Sequence, residues 1–126
     1  MKGDNMKIIK TDEYRKMKDP TPPGKALNKI ITTADNAKEM EGIFVVFPGV
    51  RRGRYHYHEK REGIFVIIKG KARITIEGKE YPIEAGDIIY LSPGEKHTIN
   101  CDSGEEFRFM EFYTNPPHEC DWVAVE

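Results

Sequence analysis

From residue 28 onward, the chain alternates short stretches of β-forming residues with turns rich in glycine and proline. Short strands at near-regular spacing are typical of a β-sandwich or barrel. No stretch after Gly24 has a helical hydrophobic period long enough to form a packed helix. The sequence therefore predicts an all-β fold. The predicted strands are residues 28–33, 42–47, 54–58, 64–68, 72–76, 88–91, 97–101 and 107–113.

One hairpin can be placed from its turn. Glu77-Gly78 separates two runs in which apolar residues alternate with polar ones, and this pattern predicts a tight hairpin. Residues 1–25 differ from the rest and are interpreted as a lead-in to a barrel of residues 26–126. In the lead-in we predict a short strand at 7–10 and a helical turn near 12–17. A stiff proline connector follows at 20–24.

Size and charge limit the classes of function. A chain of 126 residues is long enough for one domain with its own core. Its 20 Lys and Arg residues nearly balance 21 Asp and Glu residues, which argues against a nucleic-acid-binding surface. The N-terminal stretch is charged and lacks an apolar segment, so neither a signal peptide nor a membrane span is expected. The two cysteines form no Cys-x-x-Cys unit, which favours a reduced, cytoplasmic location.

A pair of histidines in one predicted strand is the first candidate site. His56 and His58 are two residues apart, so they share a face with Arg54, while the tyrosines between them point the other way. Two imidazoles on one face can bind the same metal ion. His-x-His alone is weak evidence for metal, since such histidines also occur as ordinary polar surface residues.

The sequence around this pair resembles a known motif. Residues 49–70 are similar to the first motif of the cupins, in which two histidines precede a glutamate and a closing glycine. Residues 86–101 are similar to the second cupin motif, with Gly86, Gly94 and His97 in register. The chain is thus identified as a small single-domain cupin. The resemblance implies a double-stranded β-helix, that is, a jelly-roll barrel.

In the cupin family the motif histidines and the glutamate bind a metal ion inside the barrel. For this chain the resemblance implies His56, His58 and His97 as ligands. Two residues remain possible at the position of the fourth ligand. Counting back from the closing Gly70 puts Gly63 in the glutamate position, whereas counting forward from the histidines puts Glu62 there. Three imidazoles suit iron, manganese, zinc, nickel or copper about equally well.

Two functions remain possible at this point. The first is a metal-dependent enzyme, an oxygenase or an isomerase/epimerase, that acts on a small oxygenated molecule. In it, Arg54 and Glu62 are the candidates for orienting the substrate or moving a proton. The alternative is a module that binds or senses a small ligand without catalysis, with or without metal.

Two further expectations concern partners and the C-terminal tail. Small barrels protect their edge strands, so we predict a homodimer in which residues 1–25 or the C-terminal tail cross over. His118 and Cys120 are two residues apart and could in principle bind a second metal. We do not expect such a site, because a structural zinc site usually needs four protein ligands.

Overall fold

The structure is a computed structural model that describes residues 6–10, 26–114 and 121–125. Within these ranges the chain forms β-strands and one short 3-10 turn at Thr33–Asp35. No helix in the described ranges is long and apolar enough to cross a membrane. The strands are β1 (Ala26–Ile31), β2 (Met40–Phe47), β3 (Arg51–Arg52), β4 (His56–His58), β5 (Gly63–Lys69), β6 (Lys71–Ile76), β7 (Lys79–Glu84), β8 (Ile88–Leu91), β9 (His97–Cys101), β10 (Phe107–Thr114) and β11 (Trp122–Ala124).

The strands form two antiparallel sheets that close around one core. The first sheet has the order β1-β2-β10-β5-β8, and the second has the order β11-β4-β9-β6-β7, with the short β3 paired to β9. Neighbours in each sheet are mostly distant in sequence, as in a jelly roll. The predicted all-β double-stranded β-helix is confirmed.

Strand β2 has buried side chains on both of its faces. Ile43, Val45 and Phe47 point into the barrel, where they join the main core. Phe44 and Val46 point outward and form a second apolar cluster with Ile30 of β1. Such a strand therefore reads as a continuous apolar run, with no alternation to show which face points inward.

The predicted hairpin between β6 and β7 is confirmed. Glu77 and Gly78 both have positive φ, 47° and 82°, as the two central residues of a type I′ turn require. The turn after β5 also depends on glycine. Gly70 has φ 87°, and a Cβ atom there would collide with the carbonyl oxygen of Glu106.

Several predicted elements differ from the structure. Residues 7–10 are not a strand. Instead, Ile9 packs against the outer cluster of Ile30, Phe44 and Val46, so its apolar surface is partly buried without strand pairing. The predicted strand 54–58 begins only at His56. Strands β3 and β11 were not predicted, because two or three residues are too few for a periodic signal. The predicted turn at 12–17 and connector at 20–24 lie outside the described residues.

Candidate metal centre

The side chains of three histidines meet on the inner face of the second sheet. His56 and His58 lie on β4, and His97 lies directly opposite His56 on the neighbouring β9. Because side chains two residues apart share a face, both β4 imidazoles point the same way as that of His97. One ring nitrogen of each lies within 4.8 Å of the others. A single cation could contact all three nitrogens after a small closure of the rings.

The backbone fixes the orientation of each ring. In all three histidines, Nδ1 donates its hydrogen to a main-chain carbonyl oxygen, so the lone pair is on Nε2. Such bonds to the second nitrogen are the usual way in which proteins orient metal-binding histidines. The acceptors are the carbonyl oxygens of Arg54 for His56 (2.7 Å), Asp121 for His58 (3.0 Å) and Glu95 for His97 (2.9 Å).

Two of the imidazoles, those of His58 and His97, are held neutral by burial. Burial, assisted by the nearby Arg61 guanidinium, lowers the pKa of His58 to about 3. Burial also lowers the pKa of His97 below its usual value. Only a neutral imidazole can donate a lone pair to a metal. The two buried histidines are therefore in the binding form at neutral pH.

The histidines lie at one end of a cavity of about 280 Å³ between the two sheets. The opposite wall is aromatic: the ring centroid of Phe109 lies 5.4 Å from that of Phe47 and 5.3 Å from that of Phe65. Among the described residues that line the cavity, three arginines face one glutamate, so the lining carries excess positive charge. These charged residues are Arg51, Arg54, Arg61 and Glu111.

Strand β5 places Gly63, not Glu62, toward the histidines. Gly63, Phe65 and Ile67 are buried, while the residues between them are more exposed. Glu62 is exposed, does not line the cavity and accepts a hydrogen bond from the Tyr90 hydroxyl (2.9 Å). The position of the motif glutamate is therefore occupied by a residue without a side chain.

Arg54 lies at the rim of the cavity. Its guanidinium carbon is 5.3 Å from the ring centroid of Trp122, which is within range of a cation–π interaction. The same indole stacks on the His56 ring at 4.9 Å between centroids. Arg54 and His56 are thus near each other through a shared aromatic neighbour on β11, and the arginine is exposed to solvent.

The turn between β4 and β5 is held by a residue from the C-terminal segment. The Asp121 carboxylate accepts hydrogen bonds from the backbone N–H groups of Glu59 (3.0 Å), Lys60 (2.7 Å) and Arg61 (2.9 Å). The main chain of Asp121 also accepts the bond from His58. One residue therefore fixes both a histidine of the three-histidine cluster and the turn that follows it.

Sequence reasoning did not identify five residues of this site: Arg51, Arg61, Glu111, Asp121 and Trp122. One of them left a signal. Glu111 alternates with Phe109 and Tyr113 in a strand of mostly apolar residues, and a lone carboxylate at an inward position of such a strand is unusual. Asp121 and Trp122 left none, since only the pairing of β11 with β4 brings them to the site.

Comparison with known proteins agrees with this architecture. The profile described as "Cupin domain" matches residues 42–113, more than half of the chain. The chain belongs to the cupin family. Over 96% of its length this cupin also superimposes on 98% of an uncharacterised double-stranded β-helix protein from Klebsiella pneumoniae, with a TM-score of 0.75 at 19% identity. A likeness at that identity supports the fold alone.

Two relatives are similar in sequence. An oxalate-binding protein from Thermotoga maritima is 33% identical over 55 residues, which are 44% of this cupin and 46% of the relative. The aligned part thus spans about half the length of that relative. An uncharacterised protein from Methanocaldococcus jannaschii is 30% identical over 97 residues, which are 75% of this cupin and 76% of the relative.

Proposed function

We propose that this cupin binds one divalent metal ion through His56, His58 and His97 and uses it to bind or transform a small oxygenated molecule. The observation that carries the proposal is the convergence of three imidazoles, each with Nδ1 bonded to a main-chain carbonyl group. Imidazole nitrogens suit zinc, iron, manganese, nickel and copper. The donor set does not choose among them.

A three-histidine set leaves coordination positions for a ligand. Gly63 supplies no side chain beside the histidines, so the protein adds no fourth donor from that position. A bound metal would polarise a ligand oxygen or bind dioxygen there. The protein's own part is to orient the ligand with Arg54 at the rim and to keep it in a partly apolar cavity lined by Phe65 and Phe109.

The excess of positive charge favours an anionic ligand. Three arginines line a cavity with one glutamate, and guanidinium groups bind carboxylates through paired hydrogen bonds. The similarity to an oxalate-binding protein agrees with a small carboxylate ligand. We therefore propose a small organic acid as the ligand class, with an oxygenase or an isomerase/epimerase as the type of enzyme.

A second candidate function is a binding or sensing module without catalysis. One observation favours it: Glu62, expected to move protons, is exposed and bonded to Tyr90 outside the cavity. Incubation of the metal-loaded protein with a bound acid, under air and under nitrogen, separates the two functions. Product formation supports the enzyme, whereas unchanged acid recovered from both samples supports the module.

Metal analysis tests the shared part of both functions. We expect one equivalent of metal in protein purified without chelator or affinity tag, and little metal in His56→Ala or His97→Ala. His118→Ala is the matched control, because this fourth histidine belongs to neither cupin motif and should be dispensable for binding. Full metal content in the two cluster variants, or its loss in the control, would contradict the assignment.

We further propose a cytoplasmic homodimer built from a 1–25 lead-in and a 26–126 barrel. Exposed apolar side chains on the outer face of β5 and the edge strand β8 support association: Ile64 lies beside Tyr90, and Ile88 lies nearby on the same strand. Light scattering at micromolar concentration should give twice the chain mass. Ile88→Lys should give the single-chain mass.

A further inference from the structure

Arg51 lies in the same cavity as the histidines but at a different level of the barrel. On β9, Cys101 pairs with Arg51 and His97 pairs with His56. The two pairs are four positions apart along the extended strand, a distance of roughly 13 Å along the backbone. The arginine side chain lines the cavity, and its guanidinium carbon is 4.4 Å from the Phe47 ring centroid.

The guanidinium of Arg51 has a buried donor that the protein does not satisfy. Its Nε is buried and has no hydrogen-bond partner in the described part of the chain. A buried donor without a partner is unfavourable, and such groups are rare unless a ligand or water completes them. Burial also lowers the pKa of Arg51 somewhat, although arginine stays charged at physiological pH.

The neighbouring side chains do not neutralise this charge. Burial raises the pKa of the Cys101 thiol to about 11, so the sulfur opposite Arg51 stays uncharged. Asp102, which directly follows β9, forms ion pairs with Arg52 and Arg73. Arg51 itself forms no ion pair among the described residues, so an anionic ligand in the cavity would supply its counter-charge.

We propose that Arg51 binds a carboxylate of the ligand at a second subsite, while an oxygenated group at the other end of the same molecule reaches the three-histidine site. This inference rests on the proposed function and narrows its ligand class to short acids with two oxygenated ends. The apolar wall of Phe47 and Phe109 between the two subsites suits the carbon chain that joins those ends. The cavity volume of about 280 Å³ limits that chain to a few carbons.

Calorimetry with zinc-loaded protein tests the subsite. The ligands are succinate and glutarate, compared with butyrate, which has only one carboxylate. We expect wild type to prefer a dicarboxylate over butyrate, and Arg51→Met to weaken dicarboxylate binding about 10- to 100-fold while leaving butyrate unchanged. Arg51→Lys should keep part of the preference. Arg52→Met is the matched control and should behave as wild type, because its partner is Asp102 at the surface.

Metal content distinguishes a failure of the Arg51 subsite from a failure of the proposed metal-dependent function. Arg51→Met should keep one equivalent of zinc, because the arginine is not a ligand. If His97→Ala retains zinc, the proposed function fails, and the Arg51 dependence is then measured on metal-free protein. The subsite is overturned if wild type binds none of the acids, if it binds dicarboxylates no better than butyrate, or if Arg51→Met leaves the preference intact.

Discussion

The Oε2 atom of Glu111 lies 3.7 Å from the position that a Cβ atom on Gly63 would occupy. The two residues are on adjacent strands, since Gly63 of β5 pairs with Tyr113 of β10 and Glu111 pairs with Phe65. A carboxylate from β10 thus extends toward the space that β5 leaves empty. Both residues border a small pocket with His58 and His97, so the carboxylate near these histidines comes from a different strand than in the cupin motif.

The first prediction concerns Glu62→Gln. Its side chain is exposed and bonds the Tyr90 hydroxyl, and a glutamine oxygen can accept the same bond. We expect zinc affinity within about twofold of wild type, measured by competition with a chromophoric chelator. A loss of zinc would instead mean that β5 shifts by one residue in solution and that Glu62 is a fourth ligand.

The second prediction concerns Gly63→Glu, a variant that adds the carboxylate of the cupin motif. Gly63→Glu alone brings two carboxylates together and presses on the carbonyl oxygen of Phe112, 3.3 Å from the new Cβ. We therefore expect the gain in zinc affinity to be small in that variant. In a Glu111→Gln background, which lacks the opposing charge, Gly63→Glu should tighten zinc by about tenfold or more by supplying a fourth donor.

Chelator competition on wild type, both single variants and the double variant measures these relative zinc affinities. Thermal unfolding of each metal-free variant shows whether the barrel accepts the larger residue. Equal zinc affinity in Glu111→Gln with and without the added glutamate would show that position 63 does not face the metal.

The sequence predicted those parts of the site that local spacing determines. Alternation put His56 and His58 on one face, and the second motif supplied His97 with no knowledge of strand pairing. The closing Gly70 was the more reliable anchor for register, because its positive φ ties it to one turn. Glu111 and Asp121 reach the site only through pairing with strands distant in sequence, and local periodicity carries no information about such pairing.

The third prediction concerns Asp121, which binds the β4–β5 turn. Asp121→Ala removes the acceptor for three backbone N–H groups. We expect urea unfolding to show a loss of about 1–3 kcal/mol. Zinc affinity should fall about tenfold, because the carbonyl group that orients His58 belongs to the same residue.

Two variants control this experiment. Asp121→Asn keeps one oxygen acceptor and should lie between wild type and alanine. Asp102→Ala removes a carboxylate whose ion pairs with Arg52 and Arg73 lie on the surface, and it should leave zinc affinity unchanged. Unaltered zinc affinity in Asp121→Ala would show that His58 is oriented without this segment.

The last prediction concerns the pH dependence of metal-free stability. In the unfolded chain the pKa of His58 is near its ordinary value of ~6.5, whereas in the folded protein it is about 3. Below pH 6.5 the unfolded state therefore binds a proton that the folded state does not, so the free energy of unfolding falls as pH falls. His97 acts in the same direction, because burial lowers its pKa as well. Each histidine contributes at most about 1.4 kcal/mol per pH unit.

Between pH 6.5 and 5, the change in stability reports the histidines and not the carboxylates. Carboxylates with lowered pKa, such as Asp102 at about 2, begin to lose their contribution only as their unfolded forms protonate, near pH 4. Urea unfolding in chelator at pH 7.5, 6.5, 5.8 and 5.0 should show a plateau above 6.5 and a decline below it. His58→Gln should flatten the decline, while His118→Gln should keep it. A stability that is constant across this window would contradict the burial of neutral imidazoles at the centre of the barrel.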